Sequence, residues 1–378
     1  MELVKKITFY MGSAVGRFVS SLLWSLNTVL ALFTLLVYYL CIELPTEHWF
    51  AGVLMISLPV AWVFTIVFLV FWLVVRPWRA LLPLMTLMMG FPLWPRTFAW
   101  NTPQTPEGQP TLQVLSYNVA CFQNYRYVGG GHPDDADRMI RWVMDMPADV
   151  KCFQEYINHD TSRVFRVTRR MARAGYPYYA LLEQKKLRYG EGFVGVAVFS
   201  RLPIIARGQE VFDGFNGMVW ADVRTGSDTV RIITVHLESM GIRVGGLLDR
   251  EERNVEDLKK NTRGILKKLQ SGFTNRRDQI RQVEEYVRKS PHPVIVCGDF
   301  NDTPYSVAYG RMRAVLNNAF EDAGRGFDFS YNQPPGFIRI DHQFYDARRM
   351  RAIDFQTRRD IGFSDHYPIV GTYAWGRR

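Results

Sequence analysis

Cysteine is scarce in this chain: there are four in 378 residues, and none lies three positions from another. The Cys-x-x-Cys spacing of zinc and dithiol redox sites is therefore missing, which argues against both classes. Cys41 lies in a long apolar run, and Cys121, Cys152 and Cys297 sit in or just after short ones, as small core residues do. No internal repeat is found. Charge is missing from two long stretches, Phe18–Ile42 and Trp49–Val75. Each exceeds the roughly 20 apolar residues needed to cross a bilayer, and few soluble helices are apolar all round at such length. Both are predicted to be transmembrane helices. The length of the first, with the second close behind it, argues against a cleaved signal peptide.

A third stretch, Ala80–Trp94, is uncharged but shorter, and holds Pro83, Gly90 and Pro92. It fits a short third span with Pro83 near its start, and it fits an interfacial or re-entrant segment. Lys5, Lys6 and Arg17 precede the first span, Glu43 and Glu47 separate the first two, and Arg76 and Arg79 follow the second. That bias puts the N-terminus and the turn at 76–79 in the cytoplasm. Two spans would keep the rest of the chain there; three would export it. The apolar run Leu81–Leu93 favours three, hence an inner-membrane protein with an extracytoplasmic C-terminal domain.

Residues 101–110 hold three prolines, two Gln, Asn, Gly and Glu, a linker composition between a membrane region, 1–100, and a domain at 111–376. In that domain short apolar runs alternate with helical stretches. Leu112–Asn118, Val150–Glu155, Gly195–Ser200 and Pro293–Cys297 read as strands, and Met218–Val223 with Thr229–His236 as a hairpin around Thr225–Asp228. Asp134–Met146 and Ser162–Ala174 read as helices. Within a basic insertion at 240–290, Val255, Leu258, Ile265, Leu269 and Phe273 form one stripe. Lys259, Lys260, Arg263, Lys267 and Lys268 fall on the other face, with Arg276, Arg277 and Arg281 beyond. A solvated basic face and an arm touching anionic lipid or substrate both fit. The formal net charge of +10 favours acidic partners: lipid headgroups, phosphate esters or nucleic acid.

Polar residues recur where these strands end: Asn118, Glu155, His236, Asp299 with Asn301, Asp341, and Asp365 with His366. Alone, each has an ordinary explanation as a turn former, a surface carboxylate or a satisfied core imidazole. Together, six such positions at one edge of a sandwich describe a site. Asp299 and Asn301, two apart, are expected on the same side of an exposed strand end. Hard oxygen ligands with imidazoles suit metal-assisted phosphoester hydrolysis.

The segments LSYNV (115–119), FQE (153–155), GVAVFSR (195–201), VHLES (235–239), GDFNDTP (298–304), RIDH (339–342) and SDHYPI (364–369) in this order resemble the endonuclease/exonuclease/phosphatase superfamily of DNase I-like metal-dependent phosphoesterases, and the whole chain a bacterial membrane-anchored branch of it. The resemblance implies a four-layered α/β sandwich of two mixed sheets flanked by helices. It implies Glu155 as ligand of Mg²⁺ (or Mn²⁺) with Asn118 beside it, and Asp299 as the residue that orients or deprotonates water. Asn301 would hold the phosphate, and His236 and His366 would contact it. Asp341 would orient a histidine, and Asp365 would serve the metal site or orient a neighbour. A carboxylate partner for His236 is not evident; Glu191 is the candidate. The substrate class stays open between a lipid headgroup or small phosphodiester, a monoester, and nucleic acid. No aromatic-rich recognition element marks a nuclease. A catalytically dead sensor module should have lost one of these residues, and none is lost.

Overall fold

The computed structural model describes residues 14–376 apart from 45, 103, 106–107, 125–132, 188–190, 241–254 and 335; of 133 and 255–261 it describes the backbone. The chain divides into two compact units, Met1–Pro95 with Tyr305–Gly310, and Arg96–Pro304 with Arg311–Arg378. The helical unit thus ends ahead of the expected linker, and Phe98–Trp100 (β1) is a strand of the second unit, paired with Arg325–Phe327 (β11).

The first unit holds α1 (Ala14–Glu43), α2 (Trp49–Ile56), α3 (Leu58–Val75) and α4 (Leu81–Met89). The second apolar run is divided at Ser57, because Pro59 has no N–H to continue the ladder. Ser57 Oγ instead bonds the Leu54 carbonyl at 2.6 Å. Among the described residues, α1 and α3 are long and apolar enough to cross a membrane. Leu22, Leu32 and Leu36 on α1, and Val63, Val67 and Val70 on α3, stand exposed. The nine residues of α4 reach about 13 Å at 1.5 Å each. A third crossing would therefore need the 3₁₀ turns Pro77–Ala80 and Phe91–Arg96 on either side of it.

The second unit is built on two six-stranded sheets. One runs in the order β13 (Met350–Thr357), β14 (Ile369–Trp375), β2 (Thr111–Asn118), β3 (Val150–His159), β5 (Gly192–Ser200), β4 (Tyr178–Lys186). The other runs β10 (Asn317–Asn318), β12 (Asp341–Tyr345), β9 (Val294–Asp299), β8 (Asp228–His236), β7 (Gly217–Thr225), β6 (Ile204–Val211). The neighbours β2–β3 and β8–β9 are parallel and the other pairs antiparallel, so both sheets are mixed. Strands β4, β6, β10 and β13, unpredicted from sequence, lie at sheet edges, where exposed charges such as Lys185, Lys186 and Arg207 mask the apolar alternation.

Period-two alternation builds the layers. Leu112 and Val114 of β2, Val150 and Cys152 of β3, Val230 and Ile232 of β8, and Ile295 and Cys297 of β9 meet in one buried cluster between the sheets. The opposite rows of the first sheet, including Leu115, Tyr117 and Phe153, pack under α5 (Pro133–Asp145) and α6 (Val167–Arg173). The helix expected over Ser162–Ala174 is shorter, starting at Val167.

Lys151 of β3 is buried, and its Nζ donates to the Val143 carbonyl and, at 2.9 Å, to that of Met144, capping the last turn of α5. Burial first, and Arg201 second, pull its pKa from 10.5 to about 7, with Asp145 opposing. From pH 7 to 10 the unfolded chain therefore binds more protons at this position, and the stability contributed by Lys151 grows as pH rises. Denaturant unfolding of the wild type should gain on Lys151→Met across that range. Identical pH dependence of the two would show that the ammonium is not perturbed.

The basic insertion is largely α7 (Val255–Arg288). Val255, Leu258, Lys259 and Lys260 have side chains outside the described residues. Ile265 and Leu269 are half-buried and Phe273 is buried, as the stripe predicts. Arg263, Lys267 and Lys268 are exposed. Arg276 departs from the basic face: it is 1 % exposed, turned inward toward Asp302 and Glu238.

Candidate active site

The site lies where the inner rows of both sheets end. Along β2 the row runs Leu112, Val114, Ser116, Asn118; along β8 Val230, Ile232, Thr234, His236; along β9 Ile295, Cys297, Asp299. Register sets His236 and Asp341 opposite Asp299 on its two neighbouring strands. Below this rim is a polar layer, in which Gln154 donates from Nε2 to Ser116 and Thr234. Gly298 is required for strand approach: its φ is +140°, and a Cβ there would lie 2.1 Å from the Val235 carbonyl oxygen.

Asp299 is the hub. Its Oδ2 accepts from Asn118 Nδ2 at 3.0 Å and lies 3.7 Å from both His236 Nε2 and His366 Nε2. Its Oδ1 accepts from the Asn301 amide at 2.8 Å. Asn301 Nδ2 donates to the Leu237 carbonyl at 2.9 Å and approaches Asp299 Oδ2 at 3.3 Å, so the two side chains share one side, as expected. The expectation of an exposed strand end fails: Asp299 is 1 % and His366 5 % exposed, because Asn118, His236 and Asp341 crowd around them.

Asn118 Oδ1 accepts from the Ala120 amide, and Nδ2 serves both Asp299 and, at 3.4 Å, Glu155 Oε1. The carboxamide thus holds two carboxylates in place and turns its oxygen away from them. Glu155 is not at a strand end: β3 continues to His159, and Glu155 is ejected by a register shift between Phe153 and Tyr156, with φ +49°. Asn301 also adopts φ +50°. Non-glycine residues are held in this region at a cost of about 1–3 kcal/mol each, typically at functional sites.

His366 Nδ1 is 2.8 Å from Asp341 Oδ2. Burial pulls the His366 pKa down, but Asp341, Asp299 and Asp365 outweigh it and hold it at about 10. Burial pushes Asp341 up to about 6, against the pull of His366. Asp341 therefore orients His366 and stabilises its charged form. His236 differs: its Nδ1 faces the Phe215 carbonyl at 3.0 Å. Glu191 is not its partner; it bonds Thr161 at 2.9 Å and lies 3.9 Å from His159. A backbone carbonyl sets the His236 tautomer in place of a carboxylate. Asp365 is half-buried and accepts from Ser364 Oγ at 3.2 Å.

Several supporting residues had no distinctive signal in the sequence. Ser364 Oγ donates to the Asn118 carbonyl at 2.8 Å, and Ser330 Oγ accepts from the Asp341 amide at 2.9 Å. The Tyr331 ring meets His366 edge-on at 5.2 Å. Isolated serines and tyrosines are too common to single out.

Asp299, Asp341 and His366 offer ligand atoms within 4.8 Å of one another. Asp341 is already engaged with His366, so this trio is better used for proton chemistry. Glu155 and Asp365 are half-buried, and each has one carboxylate oxygen engaged, with Asn118 and Ser364 respectively. Among the described residues no Lys or Arg pairs with Glu155, Asp299, Asp341 or Asp365. Four carboxylates opposed by two imidazoles fit a hard divalent cation.

Many solved structures are similar in fold to this chain, three of them as follows. An endonuclease/exonuclease/phosphatase family protein from Bacteroides thetaiotaomicron is 16% identical, with TM-score 0.51 over 71% of this chain and 99% of that one. Its counterpart from Bacteroides vulgatus is 14% identical, with TM-score 0.51 over 71% and 100%. One from Beutenbergia cavernae is 16% identical, with TM-score 0.50 over 70% and 72%. A search among curated proteins finds no match. A domain of unknown function, DUF8431, matches residues 20–97. The endonuclease/exonuclease/phosphatase family model matches residues 115–366, from the strand bearing Asn118 to His366 itself, and the chain belongs to that family.

Proposed function

We propose that this protein is a membrane-anchored, divalent-metal-dependent phosphoesterase that hydrolyses a phosphodiester or phosphomonoester by attack of an activated water. The observation that carries the reading is a group of four carboxylates with no Lys or Arg partner among the described residues, around two converging imidazoles. Glu155 and Asp365 would hold the cation, with Asn118 fixing Glu155. When bound, Mg²⁺ or Mn²⁺ would offset charge on the phosphoryl oxygens. Asp299, facing both imidazoles at 3.7 Å, orients and deprotonates the water. His366, kept protonated by Asp341, donates to the phosphoryl oxygens, where charge develops, and His236 contacts the same phosphate. Asn301 holds the phosphate beside them.

Exposed apolar side chains along α1 and α3 support anchoring, since a core helix of a soluble protein would bury them. Anchoring favours a lipid headgroup or small phosphodiester, met at the membrane surface. Full-length protein in detergent should hydrolyse bis-p-nitrophenyl phosphate with Mg²⁺ or Mn²⁺, lose that activity in excess EDTA and regain it on metal addition. Before solubilisation it should stay in the membrane pellet through an alkaline carbonate wash. Full turnover in EDTA would overturn the metal role, and release by carbonate the anchor.

A further inference from the structure

The long helix α7 carries two side chains that its basic composition hides. Arg276 is 1 % exposed and Gln279 5 % exposed, three residues apart on the same face. Arg276 Nε donates to Asp302 Oδ2 at 3.0 Å, and its Nη1 donates to the Glu238 carbonyl at 2.9 Å. Gln279 Oε1 accepts from the Glu238 amide at 2.8 Å. Both backbone groups of Glu238, just past the end of β8, are therefore satisfied by this helix rather than by a neighbouring strand.

The two segments so gripped carry the chemistry. Glu238 is two residues beyond His236. Between them, Leu237 donates its amide to the Asp299 carbonyl at 2.9 Å and accepts from Asn301 Nδ2 at 2.9 Å. Asp302 directly follows Asn301, and its carbonyl lies 2.9 Å from Nε2 of His342, the neighbour of Asp341. One guanidinium thus ties the segment that follows His236 to the segment that follows Asp299 and Asn301. Lysine could not replace it: a single ammonium on a flexible stem lacks the planar fork that reaches a carboxylate and a carbonyl together.

We propose that Arg276 and Gln279 are positioning residues: they hold the loops after β8 and β9 in the register that aims His236 and Asn301 at the substrate phosphate. This rests on the phosphoesterase reading above. The test uses full-length protein in detergent with the variants Arg276→Met, Asp302→Asn, their double and Gln279→Ala, assayed well below each unfolding temperature. Arg276→Met should lower kcat on bis-p-nitrophenyl phosphate by about 10-fold or more with KM changed less than about twofold, as expected when a reacting group is misplaced by a fraction of an ångström. Asp302→Asn should act in the same direction, and the double variant should be no worse than Arg276→Met alone, because that variant has already lost the Asp302 contact. In ¹³C-labelled protein without metal or substrate, the His236 imidazole resonance should move in Arg276→Met while that of His366 stays. Should Arg276→Met fail to fold, Gln279→Ala must still lower kcat and move the His236 resonance. A folded variant with unchanged kcat and an unmoved His236 resonance, or additive losses in the double, would overturn the proposal. A wild type without phosphoesterase activity would sink the parent reading instead, and the resonance shifts would still report on the clamp.

Discussion

Asp299→Asn is expected to lower turnover on an activated phosphodiester by about 10²-fold or more at saturating Mg²⁺, the scale of losing a general base. The amide keeps the shape but cannot take a proton, and it leaves two imidazoles facing an uncharged group at 3.7 Å. Burial adds a second effect. Asp299 accepts from Asn118 and from the Asn301 amide inside the rim, so the variant should also lose on the order of 1–3 kcal/mol of stability, the cost of a disturbed buried hydrogen-bond set. Rates must therefore be measured well below the unfolding temperature. Near wild-type turnover in the folded variant would remove Asp299 from the role of base.

His366→Ala should cost a similar factor, about 10²-fold or more, through loss of a donor to the developing phosphoryl charge. Asp341→Asn tests how that donor is maintained. Asp341 touches His366 Nδ1 and not the reacting phosphate, so its replacement should cost on the order of 10-fold or more, and the double variant should be no worse than His366→Ala alone. Independent, multiplying losses would show that Asp341 acts by another route. Steady-state kinetics of the three variants decide between these outcomes.

Asn118, His236 and Asp299 of the candidate site were legible because each ends an apolar run. In Val294–Asp299 the buried alternation Ile295, Cys297, Asp299 is visible in the chain itself, and so is Thr234 followed by His236. Glu155 was recognisable from the segment around it, but its geometry was not, since the register shift that ejects it depends on pairing with β5. His236 looked as if it needed a carboxylate; it meets the carbonyl of Phe215, a group every residue carries and no sequence pattern marks. Arg276 looked like one of many surface arginines, and burial against Asp302 separates it from them.

Local rules thus determined the two uncharged runs, the strand rows with a polar residue at the end, and the basic amphipathic helix, because period and composition act over neighbours in the chain. The tertiary structure alone decided which rows face each other. Asn118 and Asp299 are 181 residues apart in sequence and 3.0 Å apart from donor to acceptor only because two separate sheets stack their inner faces. The same stacking buries Asp299 and His366, fixes the partner of each histidine, and gathers four carboxylates without a Lys or Arg ion pair among the described residues. Those are consequences of long-range packing, where charge and burial are set by residues remote in sequence.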